Sequence, residues 1–216
     1  MDFVQFSELE GKHAFLSPSS YNWIFYENPE EELIKKRSSF YATTVGTTLH
    51  KFACDRIKYH LKFKAREKDC LKLELYRALP IDVVDSLDLD ILACNLEAYI
   101  ADAIGYRMVP EQILYYSDQC WGTADAISNF ASIEKQKILR IHDLKTGSTP
   151  AHIEQLMIYA ALFYLQYHKR PGEHKTELRI YQGGEVLVHE PEVDEIVPIM
   201  DRIVSYDRIL KRVIVK

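Results

Sequence analysis

The hydrophobic periodicity of this chain changes near Pro110, and this change constrains the fold more than any other sequence feature. Upstream, from Ser17 to about Tyr106, apolar residues recur at helical spacing. One such segment runs from Thr43 or Thr44 to Phe63, and another from about Leu87 to Ile104. Downstream, short β-type runs end in turn-prone or charged residues. The sequence therefore predicts a helical part that is followed by a sheet.

The downstream region predicts five strands and two helices. Three tightly connected runs, QILYYS, GTADAIS and KILRIHDL, indicate an antiparallel meander. An apolar helix opens at Pro150, ELRIYQ and EVLVHE form a hairpin around Gly183-Gly184, and a helix from about Val193 to Arg212 closes the order. We expect an α+β fold with a small mixed sheet flanked by helices, in one domain over residues 1–216. Its mainly helical part covers about 1–106 and its catalytic core about 107–216.

Asp143 and Lys145 are the residues in this pattern that can carry chemistry. Residues two apart on a strand point to the same side, so a carboxylate and an ammonium group share one space. If the preceding strand is a hairpin neighbour, Asp125 comes beside Asp143. Two such carboxylates repel unless a cation lies between them, and their oxygens suit Mg²⁺ or Mn²⁺. Taken alone, an Asp-x-Lys tripeptide is more often a surface salt bridge.

The wider context of this pair resembles a known family. GTADAI, HDLKTG and QLMIY occur in that order, and the last places Gln155 and Tyr159 on one helix face. This series resembles the PD-(D/E)XK nuclease superfamily in its RecB-like branch, whose pattern is a GxxD strand, a DxK strand and a QxxxY helix. SPSSYNW and ATTVGTTLH resemble the upstream part of phage and CRISPR-associated members. The resemblance spans about Leu16 to Tyr159 and implies a restriction-endonuclease-like core.

The resemblance also implies roles for individual residues. It implies that His50 is a metal ligand or a close neighbour of one, and that the metal ligands include Asp125, Asp143 and the backbone carbonyl of Leu144. Glu111 is either a further ligand or a plain surface carboxylate. The catalytic residues that it implies are Asp125, Asp143 and Lys145, with Gln155 and Tyr159 orienting the lysine or contacting DNA.

The function implied by the resemblance is hydrolysis of DNA phosphodiester bonds with Mg²⁺ or Mn²⁺. An exonuclease is expected, because no separate sequence-reading module such as a helix-turn-helix or zinc finger is visible. The upstream pattern suggests a phage or mobile element and a role in DNA recombination, replication or processing, with a homo-oligomer or an annealing protein as partner. The alternative is a catalytically silent nuclease fold that binds DNA or protein, such as a counter-defence protein.

The charge distribution adds a possible DNA-contacting surface. The formal net charge is −5, which by itself does not indicate a nucleic-acid partner. The segment from Lys51 to Arg77, however, contains nine basic residues and only four acidic ones. Beside a nuclease site this segment is a candidate wall for phosphates, and otherwise it is a solvated face. The DNA-contacting candidates are Lys58, Lys62, Lys64 and Arg66.

The four cysteines predict reduced, mostly buried thiols. Some RecB-like nucleases hold an iron–sulfur cluster with one early cysteine and three late ones, but YENPEE has no cysteine and none follows Cys120. We therefore expect no such cluster. The start MDFVQFSELEGKH lacks the features of a signal peptide, and no apolar run reaches the roughly 18 residues of a membrane span. The expectation is a cytoplasmic protein, in the host cytoplasm if it is viral, without a membrane partner.

Overall fold

The computed structural model of the chain describes Leu16 and residues 24–131, 137–147 and 150–213. The chain divides into two units, Met1–Thr44 and Val45–Lys216. The described helices are α1 (Pro29–Lys58), α2 (Lys68–Ala78), α3 (Ile81–Asp85), α4 (Leu89–Gly105), α5 (Glu154–Gln166) and α6 (Val193–Val213). The described strands are β1 (Val109–Ser117), β2 (Cys120–Ala131), β3 (Lys137–Leu144), β4 (Lys175–Gln182) and β5 (Glu185–His189).

The five strands form one mixed sheet in the order β1-β2-β3-β4-β5. The first three pair antiparallel, which confirms the meander. The chain then crosses through α5, and β4 pairs parallel with β3. The predicted hairpin at Gly183-Gly184 joins β4 to β5 antiparallel. The expected α+β fold with a small mixed sheet and a helical N-terminal part is confirmed.

Helices cover both faces of the sheet. Ile180 lies in an apolar cluster with residues of α5 and α6, such as Leu156 and Ile196. Its neighbour Tyr181 packs edge-on against Tyr99 of α4, with ring centroids 5.3 Å apart. Because successive strand residues point to opposite faces, α4 and α5 lie on opposite sides of the sheet.

The prediction that a helix starts at Thr43 or Thr44 was wrong, since α1 begins at Pro29. Both hydroxyls donate backward to backbone carbonyls four residues earlier, at 3.0 and 2.9 Å. Both threonines therefore lie within the helix, where their hydroxyl groups bond to its backbone, and neither caps it. The helix ends at Lys58, before Phe63, and His60 follows with a φ of 53°. The short helix expected from Ser17-Pro18 lies outside the described residues.

Two other boundaries differ from the sequence prediction. The helix expected to open at Pro150 begins at Glu154. The segment between α1 and α4 contains α2 and α3, which the periodicity did not reveal. By contrast α4 begins near the predicted position, because the Asp88 side chain accepts a hydrogen bond of 3.1 Å from the Ile91 backbone and caps the helix.

A polar network under α4 fixes the end of β3. Asp102 of α4 accepts hydrogen bonds from Arg179 at 2.7 Å and from the Tyr181 hydroxyl at 2.6 Å. The same hydroxyl lies 3.1 Å from Nδ1 of the buried His142. The backbone carbonyl of Tyr181 in turn accepts from the backbone N–H of Lys145 at 2.9 Å. The network therefore anchors the position at which Lys145 leaves the strand.

The cysteines are less buried than expected. All four are free, but Cys94 is exposed and Cys54, Cys70 and Cys120 are partly exposed. The expectation of mostly buried thiols was wrong, because each lies at the margin of the core.

Within the described part of the chain, no helix is both long and apolar enough to cross a membrane.

Candidate functional site

Lys145 follows the end of β3 and points to the start of α5. Its Nζ lies 3.0 Å from Oδ2 and 3.2 Å from Oδ1 of Asp143. It also donates to Oε1 of Gln155 at 3.0 Å. The Lys145 side chain is 31% exposed, whereas that of Asp143 is 5% exposed. The structure therefore brings three of the predicted catalytic residues into direct contact, with the ammonium group of Lys145 between a carboxylate and an amide oxygen.

Asp125 lies beside this group on β2. The antiparallel register pairs Ala126 with His142, so Asp125 and Asp143 occupy the next position along the two strands. Oδ2 of Asp125 accepts a hydrogen bond of 2.9 Å from the backbone N–H of Leu144. The same oxygen lies 3.4 Å from Nδ1 of His50, which reaches over from α1.

Glu111 completes a cluster around Asp125. One ligand atom from each of His50, Glu111 and Asp125 lies within 4.8 Å of the other two. Glu111 has a φ of 52°, which is rare for a residue with a side chain and occurs in the middle of β1. Such backbone strain concentrates at functional sites because the surrounding structure must hold it in place. Glu111, the weakest of the sequence-based ligand candidates, is therefore held in the cluster by a strained backbone.

The carboxylates influence one another electrostatically. The pKa of Asp125 is raised to about 6, chiefly by burial and also by the charges of Asp143 and Glu111, while His50 and the Leu144 N–H oppose the rise. Burial and the same three carboxylates raise the pKa of Tyr99, which lies on α4. This concentration of negative charge at a partly buried position favours a bound cation.

The donor atoms fit a hard divalent ion. His50, Glu111 and Asp125 offer one imidazole nitrogen and carboxylate oxygens, and magnesium and manganese sites in proteins use mainly oxygen ligands. Oδ2 of Asp143 is buried and receives no hydrogen bond of good geometry from the described residues, although Lys145 is near. A buried oxygen with spare acceptor capacity is suited to coordination. The Leu144 carbonyl as a ligand stays a prediction.

Tyr159 lies against the glycine of the GTAD motif. It forms a side-chain hydrogen bond with Gln155, and burial raises its pKa. A Cβ atom built on Gly122 would lie 2.9 Å from Cε1 of the Tyr159 ring, closer than real contacts allow. The glycine is thus required to seat Tyr159 beside the cluster, a role that the motif spacing signals only indirectly.

We expect Gly122→Ala to displace the Tyr159 ring and to destabilise the fold by about 1–3 kcal/mol, the usual effect of overpacking. The matched control is Gly105→Ala at the end of α4, where a Cβ would meet nothing within 4 Å. Urea unfolding of the two variants measures the difference in free energy. Equal stability of both variants would show that the Tyr159 ring is not held against Gly122.

An open groove runs beside the cluster. It has a volume of about 550 Å³ and is lined by Gly46, Thr47, His50, Lys51, Cys54 and Glu111. Lys51 is exposed and forms no ion pair with another described residue. The candidate ligands His50 and Glu111 thus line the same groove as the ammonium group of Lys51.

Several basic side chains between Lys51 and Arg77 already form ion pairs with acidic residues. Lys64, predicted to contact DNA, pairs with Glu97 at 2.8 Å, Lys72 pairs with Asp85 at 2.8 Å, and Lys68 pairs with Asp90. These carboxylates come from the acidic stretch that follows in the sequence. Lys58, Lys62 and Arg66 are exposed and have no ion pair among the described residues. They remain candidates for phosphate contacts.

Comparisons with known proteins add no relative. No protein-family profile matches the chain, and no curated protein or solved structure is significantly similar to it.

Proposed function

We propose that this protein is a metal-dependent deoxyribonuclease that hydrolyses phosphodiester bonds. The observation that carries the proposal is the combination at the end of β3: Lys145 held by Asp143 and Gln155, next to the cluster of His50, Glu111 and Asp125. Each half of the combination is common alone. Together they supply a cation site and a separate positive donor within one partly buried space.

In this proposal Mg²⁺ or Mn²⁺ would be held by His50, Glu111, Asp125 and Asp143, and when bound it would activate water and neutralise charge on the phosphate. Lys145 donates to the attacking water or to the oxygen on which negative charge develops. Gln155 and Asp143 restrict the position of its Nζ. Tyr159 bonds to Gln155 and so helps to hold its amide group in place.

The substrate we propose is DNA, degraded from an end. The groove beside His50 is open, and the described residues around it include one available cation, Lys51. This arrangement suits contact with the backbone of a strand more than recognition of base edges. A role in recombination, replication or DNA processing follows from such an activity.

The deciding experiment compares end-labelled linear DNA with covalently closed circular DNA. Each is incubated with Mg²⁺ or Mn²⁺, with EDTA, and with the Asp143→Ala variant. Loss of the linear substrate alone, dependent on metal and absent in the variant, supports an exonuclease, and the label gives its polarity. Cleavage of both substrates indicates an endonuclease. Binding without cleavage would favour a silent DNA-binding module and would contradict the proposal.

Lys51→Ala is expected to weaken DNA binding and to reduce the dependence of log Kd on log salt by about one, since one phosphate contact is lost. The matched control is Lys64→Ala, whose ammonium group is already paired with Glu97. Fluorescence anisotropy with labelled DNA in EDTA gives both quantities without cleavage. If Lys64→Ala changes the salt slope and Lys51→Ala does not, the strand lies along the α2 side instead.

A further inference from the structure

The last strand of the sheet is an open edge. Among the strands that the structure describes, β5 pairs only with β4, and it has three consecutive apolar residues, Val186, Leu187 and Val188. These residues are 41%, 51% and 48% exposed, so both faces of the strand are accessible. An apolar edge of this kind is a template for pairing with another strand.

The opposite edge of the sheet is blocked in several ways. In β1, Pro110 lacks an N–H group, and Glu111 with a φ of 52° interrupts the extended backbone. The register shifts between Tyr115 and Ser117, and the Tyr115 N–H donates to the side chain of Gln166 at 2.8 Å. Bulges, prolines and covering side chains are the means by which proteins prevent edge pairing.

β5 has none of these features. It contains no proline and no lysine, and its register with β4 is regular from the pair Gln182–Glu185 to the pair Leu178–His189. Within the described ranges of the chain, one edge of the sheet is thus protected and the other is available.

The turn before β5 determines which backbone groups face outward. Gly183 and Gly184 have φ values of 63° and 85°, as in a two-residue type I′ turn. In such hairpins the flanking pair, here Gln182 and Glu185, exchanges hydrogen bonds, and the direction alternates along the strand. The N–H and C=O groups of Val186 and Val188 therefore point to the open edge, where no other described residue bonds to them.

We propose that β5 pairs antiparallel with β5 of a second copy of this chain, about a two-fold axis at Leu187. In that register Val186 of one copy faces Val188 of the other, and these are the residues with outward backbone groups. Leu187 then faces itself in a non-hydrogen-bonded pair, and Glu185 lies opposite His189. The order Glu-Val-Leu-Val-His is thus complementary to itself in geometry, and it places each Glu185 opposite a His189 whose Nε2 is bonded to Glu195 of its own copy.

His189, at the end of β5, is tied to the helix that follows it. Its Nε2 lies 3.1 Å from Oε1 of Glu195, which holds the first turn of α6 beside β5.

Pairing at β5 does not occupy the strands that carry the candidate site. Glu111 is on β1, four strands away, and Asp143 is on β3, two strands away, which at about 4.8 Å per strand is roughly 19 Å and roughly 10 Å. The two copies would share a sheet of twice the width with their grooves at its far ends. The inference therefore does not depend on the proposed nuclease function, and its test uses no cleavage assay.

Cross-linking tests the register. Leu187→Cys should form an intermolecular disulfide under mild oxidation, because a non-hydrogen-bonded antiparallel pair brings the two side chains close. Val188→Cys, on a neighbouring residue of similar exposure, should cross-link at least about tenfold more slowly by itself. It should cross-link readily when mixed with Val186→Cys. The wild-type chain, with its four native cysteines, is the background. Equal rates for Leu187→Cys and Val188→Cys would overturn the register.

Light scattering tests the interface itself. The wild-type protein should be a dimer at micromolar concentration, and Leu187→Lys should raise the dimer Kd at least about 100-fold, because two ammonium groups would meet at the axis. The matched control is Ile209→Lys on α6, at a residue that is 52% exposed, and it should leave the dimer intact. A monomeric wild type, or a Leu187→Lys protein that remains dimeric, would overturn the proposal.

Discussion

Lys145→Ala is expected to reduce DNA cleavage by about 10²–10³-fold or more, the usual loss when one preorganised donor to a developing charge is removed. The Lys145 ammonium group donates to both Asp143 and Gln155. The measurement is the single-turnover rate with saturating Mn²⁺. The thermal stabilisation that Mn²⁺ produces should persist, because the lysine is not among the proposed ligands.

Two further variants separate chemistry from folding. Lys145→Ala leaves the buried Asp143 carboxylate without a cation, which destabilises a protein in itself. Lys145→Arg keeps that charge paired but cannot reproduce the position of Nζ, so it should fold normally and remain slow. Lys137→Ala, at the exposed start of the same strand, should cleave like the wild type. Unchanged cleavage by a folded Lys145→Ala would assign the lysine a structural role only.

Asp125→Asn is expected to weaken Mn²⁺ binding at least about 100-fold and also to stabilise the metal-free protein. Both effects have one cause. The fold raises the pKa of Asp125 to about 6 chiefly through burial, so at neutral pH, where the group is mostly ionised, its buried charge destabilises the folded state. An asparagine has no charge to desolvate, and its oxygen can still accept from the Leu144 N–H. It is, however, a poorer metal ligand than a carboxylate.

The pH dependence follows from the same shift. Because the pKa of Asp125 rises from 3.8 in the unfolded chain to about 6 in the folded one, the folded state binds more protons between these values. The contribution of Asp125 to stability is therefore present at low pH and is lost as pH rises through about 6. Metal affinity has the opposite trend and increases over this interval, since binding requires the ionised carboxylate. Calorimetry at pH 5 and 7.5, with and without Mn²⁺, measures both slopes.

Asp118→Asn is the matched control for these measurements. Asp118 is an exposed carboxylate in the turn between β1 and β2, where it accepts from the Tyr115 hydroxyl. Its removal should change neither the Mn²⁺ affinity nor the Tm trend between pH 5 and 7.5. Undiminished Mn²⁺ affinity in Asp125→Asn would remove Asp125 from the ligand set.

The parts of this molecule that the sequence predicted well are those that depend on short-range patterns. The strand period placed Asp143 and Lys145 on one side, and their 3.0 Å contact agrees with it. The double glycine indicated the hairpin, and the hairpin order of the strands brought Asp125 level with Asp143. Each of these inferences needed only neighbours in sequence.

The parts that it missed depend on partners distant in sequence. The basic segment is neutralised by Glu97 and Asp90, which only the packing of α2 against α4 reveals. The sequence leaves Glu111 as either a ligand or a surface carboxylate, because nothing in PEQILYYS indicates the left-handed backbone at that position. Threonine often caps the start of a helix, which is why Thr43 and Thr44 were candidates. A threonine hydroxyl can equally donate to a backbone carbonyl four residues earlier within a helix, and both of these do.

The order of the strands has a consequence for amide hydrogen exchange. β3, which carries Asp143, is paired on both sides, whereas β1, which carries Glu111, is paired on one side only. Local opening begins where strands have fewest partners, so amides of β1 should exchange before those of β3. Fraying of β1 would withdraw Glu111 and leave the contact between Asp143 and Lys145 in place. The site therefore opens from its Glu111 side, while the pair proposed for chemistry lies on the last part of the sheet to unfold.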